Sequence, residues 1–294
     1  MTGGAIFPFT RRARVVQETV APTARTTAPR GKPALARILT VANQKGGVGK
    51  TTTAINLAAS LSVMERKTLL VDLDPQANAT SGLGGAPGGD TERNVYRVLM
   101  GEIPVAEAIQ GTELPFLYVL PASYDLIGAE IELVTMERRE RRLTEALAPV
   151  ASEFEVIVID CPPSLGLLTV NALCASGSIM IPLQCEYYAL EGLSSLFRTI
   201  DRIREGMNPD LKIEGVVLTM FDSRNNLSHQ VAEEAREALK DQVFQTVIPR
   251  NVRLSESPSH GKPALLYAVS SRGAQSYLEL AREMVSRWNE KATP

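Results

Sequence analysis

The sequence predicts an α/β fold: a doubly wound, mostly parallel sheet with helices on both faces. Three observations carry this. Seven short runs are continuously apolar rather than alternating, as strands buried on both faces must be. Segments of helical period separate most of them, the pattern of crossover connections. A chain of 294 residues is long enough to bury such a sheet.

The strand-like runs are 37–42 (RILTVA), 68–73 (TLLVDL), 116–120 (FLYVL), 156–159 (VIVI), 178–183 (SIMIPL), 213–220 (IEGVVLTM) and 243–248 (VFQTVI). Helical periodicity runs through 51–64, 95–110, 137–148, 193–204, 227–240 and 273–288. The glycine-rich stretch 81–90 (SGLGGAPGGD) reads as a mobile loop, and no internal repeat interrupts the pattern. Residues 1–35 are rich in Pro, Thr, Ala and Arg without apolar period, so they read as a disordered basic arm ahead of one domain over 36–294.

At 44% apolar and 22% charged residues, the composition excludes collagen-like and wholly disordered classes. The uncharged stretch 161–185 is the one segment that a hydropathy window could take for a membrane span, which needs about 20 predominantly apolar residues. Three prolines with Ser164, Thr169, Asn171, Ser176, Ser178 and Gln184 break it into a loop, a buried helix and a buried strand. No secretory signal is visible, because the first thirty residues lack an apolar core segment. Cys161, Cys174 and Cys185 are odd in number and lack metal-type spacing, so they read as reduced thiols of a cytoplasmic protein. The net charge of −2 hides an asymmetry: seven Arg and Lys stand against Glu18 alone in residues 1–37, and the body is acidic. Any nucleic-acid binding by that body needs a local patch.

The decisive stretch is 43–53, NQKGGVGKTTT, at the end of a strand and the start of a helix. Glycines let successive backbone N–H groups turn inward on phosphate oxygens, and the helix N-terminus adds its positive end. Residues Lys45, Gly46, Gly47, Val48, Gly49, Lys50, Thr51 and Thr52 form the expected cradle. Lys50 is placed for the β- and γ-phosphates, Thr51 for Mg²⁺ and Thr52 for the α-phosphate. The ordinary phosphate-loop pattern would put glycine at position 44, where Gln44 stands. The loop has instead a second lysine, Lys45, poorly placed for its own nucleotide and well placed to reach that of a facing subunit.

These residues resemble the deviant Walker ATPases, a branch of the phosphate-loop NTPases. Within them the chain is similar to the ParA/Soj chromosome- and plasmid-partitioning ATPases. The resemblance runs from Ile38 to the C-terminal helix. It rests on KGGVGKTTT together with VDLDPQANATSGLG (71–84), IDCPPSLG (159–166), LTMFDSRNNLS (218–228) and VIPRNVRLSESPSHGKP (247–263). It implies ATP and Mg²⁺ as cofactors, slow ATP hydrolysis, and an ATP-dependent homodimer that binds double-stranded DNA without sequence preference. It further implies a ParB-like centromere-binding partner that stimulates hydrolysis and release, and a nucleoid-associated location.

Residue by residue, the resemblance makes Asp74 a switch residue for the attacking water and Asp160 the aspartate that holds Mg²⁺ through water, with Thr51 the direct ligand. Asp160 ends the run VIVI, where open α/β sheets carry functional residues. Asp72 and Asp74 alternate at a strand end, so only one should face the site, leaving Asp72 a structural part. Asp222, Pro249 and Asn251 stand where this superfamily cradles adenine, and Arg224 and Arg253 where the partitioning branch contacts DNA. On the residues alone, without the resemblance, both arginines read as ordinary surface groups in ion pairs. His229 and His260 read as capping or surface residues.

Three other readings share the loop. A MinD-like, membrane-recruited ATPase would need a basic amphipathic C-terminal helix, and the tail AQSYLELAREMVSRWNEKATP is mixed in charge. An iron–sulfur reductase would need Gly-flanked cysteines that are not here. A non-catalytic, nucleotide-gated scaffold differs only in lacking turnover. No membrane partner is expected.

Overall fold

The computed structural model describes residues 36–86, 92–186 and 189–292. The arm expected over 1–35 lies outside the described residues, as do 87–91 of the glycine-rich loop.

Among the described residues eight strands form one sheet: β1 (Arg37–Val41), β2 (Thr68–Asp72), β3 (Gln110–Gly111), β4 (Leu117–Leu120), β5 (Val156–Asp160), β6 (Ser178–Gln184), β7 (Lys212–Phe221) and β8 (Val243–Pro249). Their order is β3-β4-β2-β5-β1-β6-β7-β8. Every pairing is parallel except β3 with β4 at one edge. β1 and β5 are neighbours at the centre although well over a hundred residues separate them, so the winding runs outward in both directions from β1.

Why the strands read as continuously apolar is visible in their packing. In β2, Leu69 and Val71 enter one core while Leu70 enters another. In β5, Ile157 and Ile159 go to the first and Val156 and Val158 to the second. Successive side chains point to opposite faces. A sheet covered on both sides therefore needs apolar residues at every position. The β-branched residues of VIVI suit a pleated, doubly buried strand.

On one face, helix Lys50–Val63 packs against the C-terminal helix Arg272–Ala292. Leu57, Leu61, Tyr277, Leu280, Ala281 and Met284 meet there at 0–1% exposure. The Thr53 hydroxyl and the Tyr277 phenol close a buried hydrogen bond of 3.0 Å across the two helices. Trp288 is also buried and donates its indole N–H to Glu214 at 2.9 Å. The apolar face of the C-terminal helix is thus spent on the core rather than offered to a lipid surface. Among the described residues no helix is long and apolar enough to cross a membrane.

Two expected helices are broken. The stretch 95–110 forms helices Val95–Met100 and Val105–Ala108 and then enters β3. Gly101, at φ +81°, caps the first, and Pro104 lies just ahead of the second. Glycine relaxes into that left-handed conformation without a Cβ penalty, so a matching apolar period did not make one helix. The stretch 137–148 starts as a tight turn over Arg139–Arg141, preceded by Arg138 at φ +54°, before helix Arg142–Leu147. The glycine-rich loop begins with a short helix, Asn78–Gly82. The segment 161–185 divides into a loop, helix Leu167–Ala175 and β6.

Candidate active site

The loop 43–49 leaves β1 and enters helix Lys50–Val63 at the C-terminal edge of the sheet. Neighbouring strands fix its path. Asn43 donates its amide N–H to the Pro182 carbonyl of β6 at 2.7 Å, and its side-chain oxygen accepts the Lys45 N–H at 3.0 Å. The Thr219 hydroxyl of β7 donates to the Val48 carbonyl at 2.8 Å. Gly47 and Gly49 take φ of +76° and +88°, a region that side-chain-bearing residues avoid. A Cβ at Gly46 or Gly47 would meet nothing within 4 Å, so the mouth of the curl is open.

The two lysines of the loop occupy different environments. Lys50 is buried at 7% exposure and donates to the Lys45 carbonyl at 3.1 Å, across the curl. Burial lowers its pKa, opposed by the charges of Asp160 and Asp74 and by Cys161. Lys45 is half-buried and pairs with Glu186 at 3.0 Å. Thr51 and Thr52 begin the helix and remain partly accessible.

Asp160 and Asp74 lie near enough to Lys50 for their charges to act on it, and Asp72 adjoins both. Asp160, at the end of β5, is wholly buried, and neither carboxylate oxygen has a well-formed hydrogen bond. Its pKa stands well above the usual carboxylate range because of burial and then the neighbouring Asp72. The Thr51 hydroxyl and the Lys50 ammonium oppose that rise. An orphaned buried carboxylate beside a threonine hydroxyl is the environment a hydrated divalent cation would relieve. The oxygen-rich donor set of Thr51, Asp160 and Asp74 suits Mg²⁺.

Asp72 pairs in register with Asp160 on the adjacent strand, so both carboxylates sit at the same sheet edge. Asp72 accepts from the Asp74 N–H at 3.1 Å, and from the Thr80 N–H and hydroxyl, both at 2.7 Å. Burial lifts its pKa to about 6 against those three hydrogen bonds. Thr80 in turn accepts the Ala122 N–H at 3.0 Å. Asp72 is therefore the anchor of the segment that carries Asp74. Asp72 and Asp74 do not face opposite sides by strand alternation, as the sequence suggested: residues two apart in a strand share a face, and β2 ends at Asp72, so Asp74 is placed by the turn that follows. Both charges act on Asp160. Asp74 is 8% exposed and its carboxylate accepts the Gln76 N–H at 2.9 Å.

A family model described as "AAA domain" matches residues 36–213, more than half of the chain. The chromosome partitioning protein ParA of Myxococcus xanthus is 59% identical over 263 residues, covering 90% of this chain and 93% of that protein. The sporulation initiation inhibitor protein Soj of Bacillus subtilis is 55% identical over 252 residues, covering 86% and 99%. The chain belongs to the ParA/Soj family of chromosome-partitioning ATPases. Among solved structures, a cobyrinic acid a,c-diamide synthase from Mycobacterium smegmatis with bound ADP and magnesium superimposes with a TM-score of 0.76. It is 38% identical, and the match covers 87% of this chain and 96% of that one.

The remaining expected residues of this ParA/Soj-family chain lie on the far side of the loop. β7 and β8 end together, with Phe221 paired to Pro249, and this brings Asp222 and Pro249 to one edge. Gly49 lies against the same edge, a Cβ on it meeting the Met220 methyl at 3.9 Å. Asn251 caps helix Val252–Glu256, its side-chain oxygen accepting the Arg253 N–H at 3.0 Å. Arg224 forms two 3.0 Å hydrogen bonds to Asp222, which hold that carboxylate's pKa down to about 2. Arg253 pairs with Glu256 at 2.7 Å. In the isolated chain both arginines are thus surface groups in ion pairs. His229 packs edge-on against Phe221 and His260 stacks on Tyr267, away from the aspartates.

Sequence reasoning overlooked Glu186 and Glu130. Glu186 follows the C-terminal end of β6, the sheet edge where functional residues gather, and that position was its available signal. Glu130 lies against Gly166, where a Cβ would collide with its carboxylate. The loop after Asp160 thus admits no side chain at 166 without displacing Glu130.

Proposed function

We propose that the chain is an ATP-gated DNA-partitioning switch: ATP and Mg²⁺ bind on residues 45–52, two copies close over the nucleotides, and the dimer holds DNA without sequence preference. The observation that carries this is the division of labour between the two lysines. Lys50 is buried beside Asp160 and Asp74, whereas the Lys45 ammonium is half-exposed and turned to Glu186, which supports reading it as the group that serves a second copy's phosphate.

ATP, the substrate, carries the transferable γ-phosphoryl group, whose charge a bound Mg²⁺ would offset. Lys50 and the inward N–H groups would hold the phosphates, and Thr51 and Asp160 would hold the metal. Asp74, placed by Asp72, orients and deprotonates the attacking water. Asp222, Pro249 and Asn251 form the edge on which the adenine rests. For DNA, Arg224 and Arg253 exchange their carboxylate partners for phosphates, a contact without base information that weakens steeply with salt. Pairing two copies doubles the contacts, which is how nucleotide state gates binding. A ParB-like partner accelerates hydrolysis and so releases the DNA.

Sedimentation of wild type and Lys50→Ala in ATP and Mg²⁺, with turnover measured in parallel, tests the reading. Wild type should dimerise with ATP and not with ADP, and Lys50→Ala should do neither. A Lys50→Ala protein that dimerises with ATP removes the phosphate role from that lysine, and dimerisation without turnover favours a non-catalytic scaffold.

A further inference from the structure

Lys45 is not a free lysine waiting for a phosphate. Its ammonium is held at 3.0 Å by Glu186, from the segment just after β6. The other Glu186 oxygen accepts a hydrogen bond from the Gln184 side-chain amide. Below, the Lys45 N–H is fixed by Asn43, and Asn43 is itself tied to Pro182 of the same strand. One end of β6 thus grips Lys45 at its backbone through Asn43 and at its ammonium through Glu186.

We propose that Glu186 is the positioning residue that parks Lys45 on its own subunit, and that ATP-dependent pairing must break this contact. The inference rests on the reading of Lys45 as the lysine that serves a second copy. An ammonium satisfied by a carboxylate cannot at the same time neutralise a partner's phosphate, so the ion pair competes directly with assembly. The pair is solvent-accessible, with side-chain exposures of 39% and 47%, so the restraint is modest and reversible rather than a lock. It also suppresses pairing before a nucleotide is present. A phosphate chain with its multiple charges outbids a single carboxylate, whereas a bare facing surface offers Lys45 nothing in exchange.

Each protomer carries one such pair, so a dimer releases two. Removing the carboxylate with Glu186→Gln, which keeps the shape and the hydrogen-bonding capacity, should lower the protein concentration for half-dimerisation in ATP and Mg²⁺ by roughly two- to thirtyfold. A second readout is insensitive to assembly. In the nucleotide-free protein, modification of the Lys45 amine by an amine-reactive reagent, followed by mass spectrometry, should be faster in Glu186→Gln. Glu186→Asp, which keeps the charge, should return both values towards wild type. Dimerisation that is unchanged or weaker in Glu186→Gln, or Lys45 labelling that does not rise, would overturn the proposal. Lys45→Ala separates the two layers: if it dimerises with ATP as wild type does, the role of Lys45 towards a partner falls. If it fails to dimerise while Glu186→Gln behaves as wild type, only the parking role falls.

Discussion

Substituting Asp160 by Asn should make the nucleotide-free protein more heat-stable while destroying its turnover. Asp160 is wholly buried, its oxygens lack well-formed hydrogen bonds, and Asp72 sits beside it. Burial and that neighbour raise its pKa well above the ordinary value. A carboxyl whose folded pKa is raised favours the fold fully below its unfolded pKa of about 3.9. That contribution is lost progressively as pH rises through the folded pKa, because the folded state must then hold an unwelcome charge. Asn carries no such charge. Lys50 offsets part of the penalty, and an unsatisfied buried polar group costs about 1–3 kcal/mol, so the gain at pH 8 should fall in that range. For a domain of this size it corresponds to a rise in Tm of roughly 2–10 °C. Calorimetry in EDTA at pH 8 and pH 5 measures it, and the advantage should shrink at the lower pH as wild-type Asp160 takes up its proton. Turnover with Mg²⁺ should fall about a hundredfold or more, as loss of several kcal/mol of charge stabilisation implies. A Tm that is unchanged or lower at pH 8, or a gain that grows on acidification, would refute the view of Asp160 as a strained, cation-seeking carboxylate.

Two further predictions are independent of that one. Asp74→Ala should leave ATP binding intact while turnover collapses and the protein stays on DNA; turnover equal to wild type would place the switch elsewhere. Tyr277→Phe removes the 3.0 Å bond to Thr53 between two packed helices and should cost about 0.5–1.5 kcal/mol in chemical denaturation with little effect on ATP turnover, whereas a large loss of turnover would show that this contact shapes the loop helix.

The central sheet was legible because parallel strands covered on both faces leave no polar alternation to misread, as β2 and β5 illustrate. The phosphate loop was legible because its glycines have no other use: Gly47 and Gly49 occupy left-handed backbone. What escaped was either local geometry against pattern or contact across the chain. Periodicity over 95–110 was real, yet Gly101 and Pro104 divided it and handed its end to β3. The relation of Asp72 to Asp74 was misjudged, because residues two apart share a face in a strand and Asp74 in any case lies past the end of β2. Glu186 lies 141 positions from Lys45, and no spacing rule joins them. Likewise, the arginines at 224 and 253 were visible as charges, but their carboxylate partners, Asp222 and Glu256, became clear only once the turns were folded.

The central claim is that nucleotide state gates DNA binding through pairing. The most direct measurement is binding to a non-specific duplex with ATP, ADP or no nucleotide, across a salt series, for wild type and Arg253→Ala. Strong binding with ATP alone, fading steeply as salt rises and weakened in Arg253→Ala, is the predicted result. Equal binding in all three nucleotide states, or none with ATP while the dimer still forms, would contradict it.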